Sequence, residues 1–362
     1  MRHKTVGFVC NSLENVAGGL ERQIIRTSKS FLSKGFKIYI FSFDNLSAKS
    51  FYEIPNEIKW IKCGGEIQSN KFVKTIRRIN QILFLRKKLN HYKIKNLITF
   101  HHGIFPRVLV ASLFYNIYNI VSERNSLSHY KYIKLSKTNL GFISLFFANK
   151  ITVQLESYVN DYPFVLRKRI TVISNILKKP LKNYKTPQLE SNKVSMAGRL
   201  SLQKNFTPLL EQIKSESPKD IQFIIAGEGD LKSTFKENYS ELIKNKTVVF
   251  KGNIRNMDFF LSQSAIFCFP SLWEGYPNSL AEALRLGLPI VTSKRMQYLV
   301  EFVEHEVNGL VVDDHKLLDS IKILLKDKYK LNFMSQQSFK KYEALNDSKP
   351  INDWINLVED KY

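Results

Sequence analysis

Residues 266–293 narrow the possible folds of this chain more than any other stretch. Ile266–Phe269 is a short apolar run, long enough for a buried strand. A polar loop, Pro270-Ser-Leu-Trp-Glu-Gly-Tyr-Pro277, follows it. A helix starts near Asn278, and residues 289–292 form a second apolar run. Strand, loop, helix and strand in this order predict a βαβ unit, which requires a parallel sheet. Two carboxylates, Glu274 and Glu282, lie inside the unit with seven residues between them. Both fall beside a helix N-terminus, where free N–H groups favour a phosphate or a sugar oxygen.

The same order recurs along the chain. Thr5–Cys10 predicts a strand, Gly18-Gly19 a turn, 20–34 a helix stopped by Gly35, and 36–43 the next strand. Further strands are predicted at 97–100, 119–122, 151–154 and 170–173. Residues 178–192 are polar and aperiodic and read as linker. A second set of strands follows at 193–197, 221–226, 248–250, 266–269 and 289–292, with a helix at 206–215. The last thirty residues read as helical, with Trp354, Ile355 and Leu357 on one face. The expected organisation is an N-terminal Rossmann-like domain (1–170), a hinge (171–192), a second Rossmann-like domain (193–340) and a C-terminal helix (341–362) packing back toward the first. A chain of 362 residues with 44% hydrophobic content has enough core for two such domains. Tandem domains of this kind are expected to face one another across a cleft, with ligands at the carboxyl ends of their strands.

There are 55 Lys+Arg against 32 Asp+Glu, a formal charge of +23. That excess points to a polyanionic partner: nucleic acid, an anionic membrane surface or phosphorylated substrates. A biased, merely soluble surface is the competing explanation. The basic residues are densest over 71–95, where Phe72, Ile76, Ile79, Leu83 and Leu89 interleave with them. Two readings stand for this helix: one lies on an anionic membrane, and the other is an outer helix with a solvated basic face. Cys10, Cys63 and Cys268 show neither pairing nor metal-ligand spacing, and a reducing cytoplasm fits them. Residues 1–10 lack a signal-peptide core, and the apolar run 140–148 is too short to span a bilayer. The expected location is the cytoplasm or the inner face of its membrane.

The segment 270–293, together with Gly198-Arg199-Leu200 and Lys204-Asn205, resembles the signature of retaining GT-B glycosyltransferases of family four (glycosyl transferases group 1). This family includes glycogen synthases, mannosyltransferases and many surface-polysaccharide enzymes. The resemblance is dense over 194–312 and diffuse over 1–170. It implies two Rossmann-like domains, a nucleotide-sugar donor on the second and an acceptor on the first.

The resemblance also implies residue roles. Glu274 would hold donor-sugar hydroxyls near the anomeric carbon, and Glu282 the ribose hydroxyls. Arg199 and Lys204 would converge on the leaving diphosphate, whose neutralisation is the main electrostatic task of the reaction. Gly275 and the N–H groups of Asn278, Ser279 and Leu280 would face the donor. Gly18 and Gly19 match the family's N-terminal glycine loop. His101 matches the family histidine near the donor sugar, with His102 as the neighbouring alternative. Glu123 and Arg124 would contact the acceptor or a diphosphate. Glu282 has a second explanation: Ser279 and Glu282 have capping-box spacing, and Asn278 could cap instead. The hinge departs from the family pattern, with Ile176 where proline is common.

The expected activity is retaining transfer from a nucleotide sugar, most simply UDP-linked. The acceptor would be a glycan, free or on a polyprenyl diphosphate, in capsule, O-antigen or lipopolysaccharide assembly. No metal or other cofactor is expected, because no Asp-x-Asp motif stands in the donor half. A nucleotide-sugar epimerase of the same fold is the alternative within the enzyme class. A nucleic-acid-binding protein would need a basic stripe with stacking aromatics, and no such module is present. A nicotinamide enzyme is disfavoured because the Gly-x-Gly-x-x-Gly fingerprint is missing after the first strand.

Overall fold

The computed structural model describes residues 4–14, 18–65, 70–127, 139–180, 187–346 and 349–359. The chain forms two compact units, one of residues 1–176 with 348–362 and one of residues 177–347.

Unit 1 holds seven strands: β1 (Thr5–Cys10), β2 (Lys37–Ser42), β3 (Lys59–Lys62), β4 (Asn96–Phe100), β5 (Tyr118–Ser122), β6 (Lys150–Val153) and β7 (Ile170–Val172). All pair in parallel, in the order β3-β2-β1-β4-β5-β6-β7. The central strands are covered on both faces, so both side-chain sets are apolar: Val6, Phe8, Ile98 and Phe100 on one face, Val9 and Leu97 on the other. The helices are α1 (Gly19–Ser33), α2 (Lys71–His91), α3 (Phe105–Ser112), α4 (Leu140–Ser144) and α5 (Phe164–Arg167). Right-handed crossovers place α1, which steps from β1 to β2, on one face of the sheet. They place α2, α3 and α4, which step in the opposite direction, on the other. The packing agrees: α2 meets α3, α3 meets α4, and α1 meets the C-terminal helix Lys349–Glu359. That helix adds Trp354, Leu357 and Val358 to the core of Phe8, Ile24 and Phe31.

Unit 2 holds six parallel strands: β8 (Lys193–Ala197), β9 (Gln222–Ala226), β10 (Val248–Gly252), β11 (Ile266–Phe269), β12 (Ile290–Ser293) and β13 (Gly309–Val312). Their order is β10-β9-β8-β11-β12-β13. The helices are α6 (Thr207–Glu216), α7 (Lys232–Asn238), α8 (Ser240–Lys244), α9 (Met257–Ser262), α10 (Asn278–Arg285), α11 (Leu317–Lys326) and α12 (Lys328–Leu345). Two of the strands, β3 and β13, were not anticipated. The strand expected at 170–173 is β7 (Ile170–Val172) of the first sheet, so the first two residues of the expected hinge, 171 and 172, belong to that sheet. Residues 178–179 are anchored in unit 2, where Lys178 pairs with Asp258 at 3.0 Å and Arg285 Nε donates to Lys179 O at 2.8 Å. Residues 181–186 of the linker lie outside the described residues.

Each sheet reverses its winding once, between β1 and β4 in unit 1 and between β8 and β11 in unit 2. Open parallel sheets bind ligands outside the strand carboxyl ends at such a reversal. Gly18 and His101 follow β1 and β4. Arg199 and Glu274 follow β8 and β11. The sequence signals thus fall on the loops that flank the two reversal points.

Candidate active site

The loop after β11 is fastened to the loop after β8 by a series of hydrogen bonds. Leu272 N donates to Gln203 O at 2.8 Å, and Gln203 Nε2 donates back to Trp273 O at 2.9 Å. Asn205 Nδ2 donates to Pro270 O at 3.1 Å. Asn205 has φ +51°, a left-handed conformation that asparagine tolerates better than most residues. These bonds bring Lys204 Nζ to 2.6 Å from Glu274 Oε1, with side chains only 14% and 7% exposed. On its other side, Tyr298 OH accepts the Glu274 backbone N–H at 3.0 Å. A carboxylate, a lysine and the positioning groups therefore meet where the loops after β8 and β11 join within unit 2.

α10 begins at Asn278, and its N-cap is Pro277, whose carbonyl accepts Ala281 N at 2.9 Å. This overturns the capping-box reading. Ser279 lies inside the first turn, and Glu282 lies beyond the position that could reach back to a cap. Glu282 is buried on this helix, with Leu280, Ala281 and Arg285 also buried. The N–H of Asn278 is donated to Tyr276 O at 2.8 Å, so it is not offered to a ligand as expected. Among the described residues, the N–H groups of Ser279 and Leu280 have no backbone acceptor, and those two remain at the helix start. Tyr276 packs edge-on against Phe302 with ring centroids 5.3 Å apart, which steadies the loop carrying Gly275.

Arg199 is exposed at the end of β8 and has no carboxylate partner among the described residues. Gly198 N donates to Ala226 O at 2.9 Å, which joins the loops after β8 and β9. Gly227 has φ +141°, and a Cβ there would meet Gly198 O at 2.0 Å, so the contact requires glycine.

In unit 1, Gly18 is the extended N-cap of α1, which starts at Gly19. The N-terminus of this 15-residue helix faces the ligand-binding end of the sheet. After β4 the two histidines diverge. His102 is fully buried, and its Nδ1 lies 3.0 Å from both Glu123 oxygens. The His102 backbone N–H also donates to Glu123 Oε1, at 2.6 Å. His101 has φ +86°, a strained value for a non-glycine residue, and its Nδ1 accepts Gly103 N at 2.8 Å. Its ring stacks on that of His102 at 4.4 Å. The less buried His101 is the histidine on the open side. His102 and Glu123 form an interior dyad with both side chains fully buried.

Burial lowers the pKa of His101, against an opposing pull from Glu123. Burial alone would raise the Glu123 carboxyl, but the facing His102 and its hydrogen bonds outweigh it and hold the group below the usual range. The donor atoms of His101, His102 and Glu123 all lie within 4.8 Å of one another, and these three could hold a metal ion. As built, Nδ1 and the carboxylate satisfy each other instead.

Arg124 has a different environment. Its guanidinium carbon lies 4.7 Å from the centroid of Phe100, and Nη1 donates to Asn175 Oδ1 at 2.8 Å. Nε and Nη2, the edge suited to two oxygens of an anion, are buried without a partner. Burial lowers the guanidinium pKa to about 9, opposed by Glu123.

The sequence reading missed Gln203, Asn205, Asn175 and Tyr298. Only Asn205, in the Lys-Asn pair, had a local signal. The others act from loops through contacts with distant backbone.

Residues 178–342 match the family model for glycosyl transferases group 1. A Haemophilus influenzae protein described as an uncharacterized glycosyltransferase is 24% identical over 98% of this chain and 100% of its own length. The Campylobacter jejuni N-acetylgalactosamine-N,N'-diacetylbacillosaminyl-diphospho-undecaprenol 4-alpha-N-acetylgalactosaminyltransferase is 24% identical over 86% of this chain and 88% of its own. The crystal structure of Anabaena HepE with UDP and glucose superposes with a TM-score of 0.77 at 16% identity, covering 99% of this chain and 100% of that one. The strand orders and the superposition show a GT-B fold, residues 178–342 match the glycosyl transferases group 1 model, and with these glycosyltransferase relatives the chain is a glycosyltransferase.

Proposed function

We propose that the enzyme transfers a sugar, with retention of anomeric configuration, from a UDP-linked donor to a polyprenyl-diphosphate-linked glycan in surface-polysaccharide assembly. The observation that carries this reading is the Lys204–Glu274 pair at 2.6 Å, beside the α10 start and the buried Glu282. In the reaction, the bond from the anomeric carbon to the diphosphate breaks. A bond to an acceptor hydroxyl oxygen forms on the same face, and the hydroxyl proton leaves with the UDP. Lys204 and Arg199 would offset charge on the departing diphosphate, and Glu274 would hold sugar hydroxyls next to the reacting carbon. Glu282 would accept from the ribose. Within unit 1, His101 would be available to hydrogen-bond a sugar hydroxyl, and the bare edge of Arg124 would take acceptor phosphate oxygens. The UDP assignment draws on the HepE complex, and the diphosphate-linked acceptor on the name of the Campylobacter relative. No residue is assigned to a metal, and activity is expected to survive chelation.

The experiment incubates the protein with a panel of UDP- and GDP-sugars, reading thermal stabilisation, nucleotide release and, by NMR, product configuration. UDP-sugar stabilisation and a product with retained configuration support the proposal. An inverted product, or isomerisation of the donor with no acceptor present, refutes it. The latter result would identify an epimerase.

A further inference from the structure

Arg285 lies in the last turn of α10, inside the otherwise apolar run Ala283-Leu-Arg-Leu286. Among the described residues no other lysine or arginine is buried as a whole residue. A cation is kept inside a protein only where partners offset its lost hydration. Arg285 has two, in different directions. Nε donates to Lys179 O at 2.8 Å, and Nη1 donates to Asp258 Oδ2 at 2.8 Å. Asp258 stands in the first turn of α9, whose start is fixed by Asn256, the side chain of which accepts Phe259 N at 3.0 Å. Burial would raise the Asp258 carboxyl, but the hydrogen bonds and charges of Lys178 and Arg285 outweigh it and hold the group below the usual range.

Both acceptors are themselves held. Lys178 Nζ reaches the same Asp258 oxygen at 3.0 Å. Lys178 O, one residue before the Lys179 carbonyl, accepts Tyr342 OH of α12 at 2.6 Å, and also Asn346 Nδ2 just after that helix. No side chain caps the opposite end of α10; Pro277 does so through its carbonyl. The buried flank of the helix is apolar, with Leu280, Ala281, Ala283 and Leu284. Apolar burial has no direction, so it fixes the layer of a helix better than its place along or about its axis. The two bonds of a planar guanidinium, pointing to separate anchors, fix both. Eight residues make a helix about 12 Å long, so a shift at Arg285 is carried to Ser279 and Leu280.

We propose that Arg285 is a positioning residue for the nucleotide-sugar donor. Its bonds to Lys179 and Asp258 set where α10 stands, and so where the Ser279 and Leu280 N–H groups and Glu282 meet the donor. This role rests on the reading that α10 begins at the donor site. Small displacements matter in such a site, where a misplacement of about 1 Å costs up to roughly a hundredfold in rate. Lys178 shares Asp258 with Arg285 but makes no hydrogen bond to α10 among the described residues, so it is the control.

The test is calorimetric titration of the full chain with UDP and with GDP, at a temperature below the melting of every variant. The wild type is expected to bind UDP, and the variants are read on the nucleotide that it binds. Arg285→Met is expected to weaken binding about tenfold, equivalent to one misdirected hydrogen bond to a charged group. Arg285→Lys keeps the charge but cannot reach both acceptors, so its affinity should fall between the two; it also serves where the Met variant does not fold. Asp258→Ala should weaken binding as well, and adding it to Arg285→Met should weaken it no further. Lys178→Met should lower the melting temperature and leave nucleotide affinity as it was. Arg285 variants that melt earlier yet bind nucleotide like the wild type overturn the proposal and leave the donor reading intact. Equal weakening by Lys178→Met, or independent effects of Arg285→Met and Asp258→Ala, overturns it too. A wild type that binds neither nucleotide overturns the donor reading, and the role of Arg285 falls with it.

Discussion

Removing either partner of the Lys204–Glu274 pair should damage both stability and chemistry, and a double-mutant cycle separates the two. At 2.6 Å the Coulomb attraction is about 6 kcal/mol for an effective dielectric near 20. Desolvation of two largely buried groups cancels most of it, leaving a net contribution of about 1–2 kcal/mol. Deleting one partner is costlier, because the other charge stays buried. Lys204→Met and Glu274→Gln should each cost about 3 kcal/mol, or roughly 6–12 °C in the melting of unit 2. The double variant should cost less than the sum, with an interaction energy of about 2 kcal/mol. The assay is thermal or urea unfolding of all four proteins, with donor turnover measured on each. Turnover should fall about 10²–10³-fold in every variant, including the double, because restored stability does not restore the charge facing the diphosphate. Additivity within about 0.5 kcal/mol would refute the pairing, and near-normal turnover of Glu274→Gln would refute its role.

Tyr298→Phe leaves the Glu274 N–H without its acceptor; stability should fall by about 1 kcal/mol, and kcat should fall about tenfold with little change in KM. Glu123 is held below the usual carboxyl range, so its contribution is complete above about pH 4.5 and is lost as pH falls through its folded pKa. A melting-temperature series across pH should show Glu123→Gln lowering stability at neutral pH and flattening this acid limb. His101 is depressed by burial, so the folded state resists its protonation. Stability should rise with pH from its folded pKa up to about 6.5, and His101→Asn should remove that rise. Trp354→Ala should cost about 3–5 kcal/mol in unit 1, measured by urea unfolding, even though it lies far along the chain from the sheet it covers.

Strands buried on both faces were legible because their apolar runs are continuous. This holds for β1, β4, β8 and β11, and the loops after them carried the site signals. β3 was not legible: Lys59-Trp-Ile-Lys62 is an edge strand with only partial burial, so it needs no apolar run. The Lys204–Glu274 contact could be anticipated because both residues follow neighbouring strands of one parallel sheet. The start of α10 could not, because Ser279 and Glu282 mimic a capping box while Pro277 takes the cap with its carbonyl. The contrast between His101 and His102 was equally hidden. Adjacent identical residues differ only in backbone angle, and Glu123, which selects His102, lies 21 positions further on.

The sheet of unit 1 is complete at Val172, yet the wall over Phe8 and Phe31 is supplied by Trp354, after all of unit 2 has been threaded in between. During synthesis the first-made half must wait with a bare apolar flank while the second half emerges and folds. Unit 2 has no such debt and can mature first. The N-terminal core is therefore closed only when the last residues of the chain have been made.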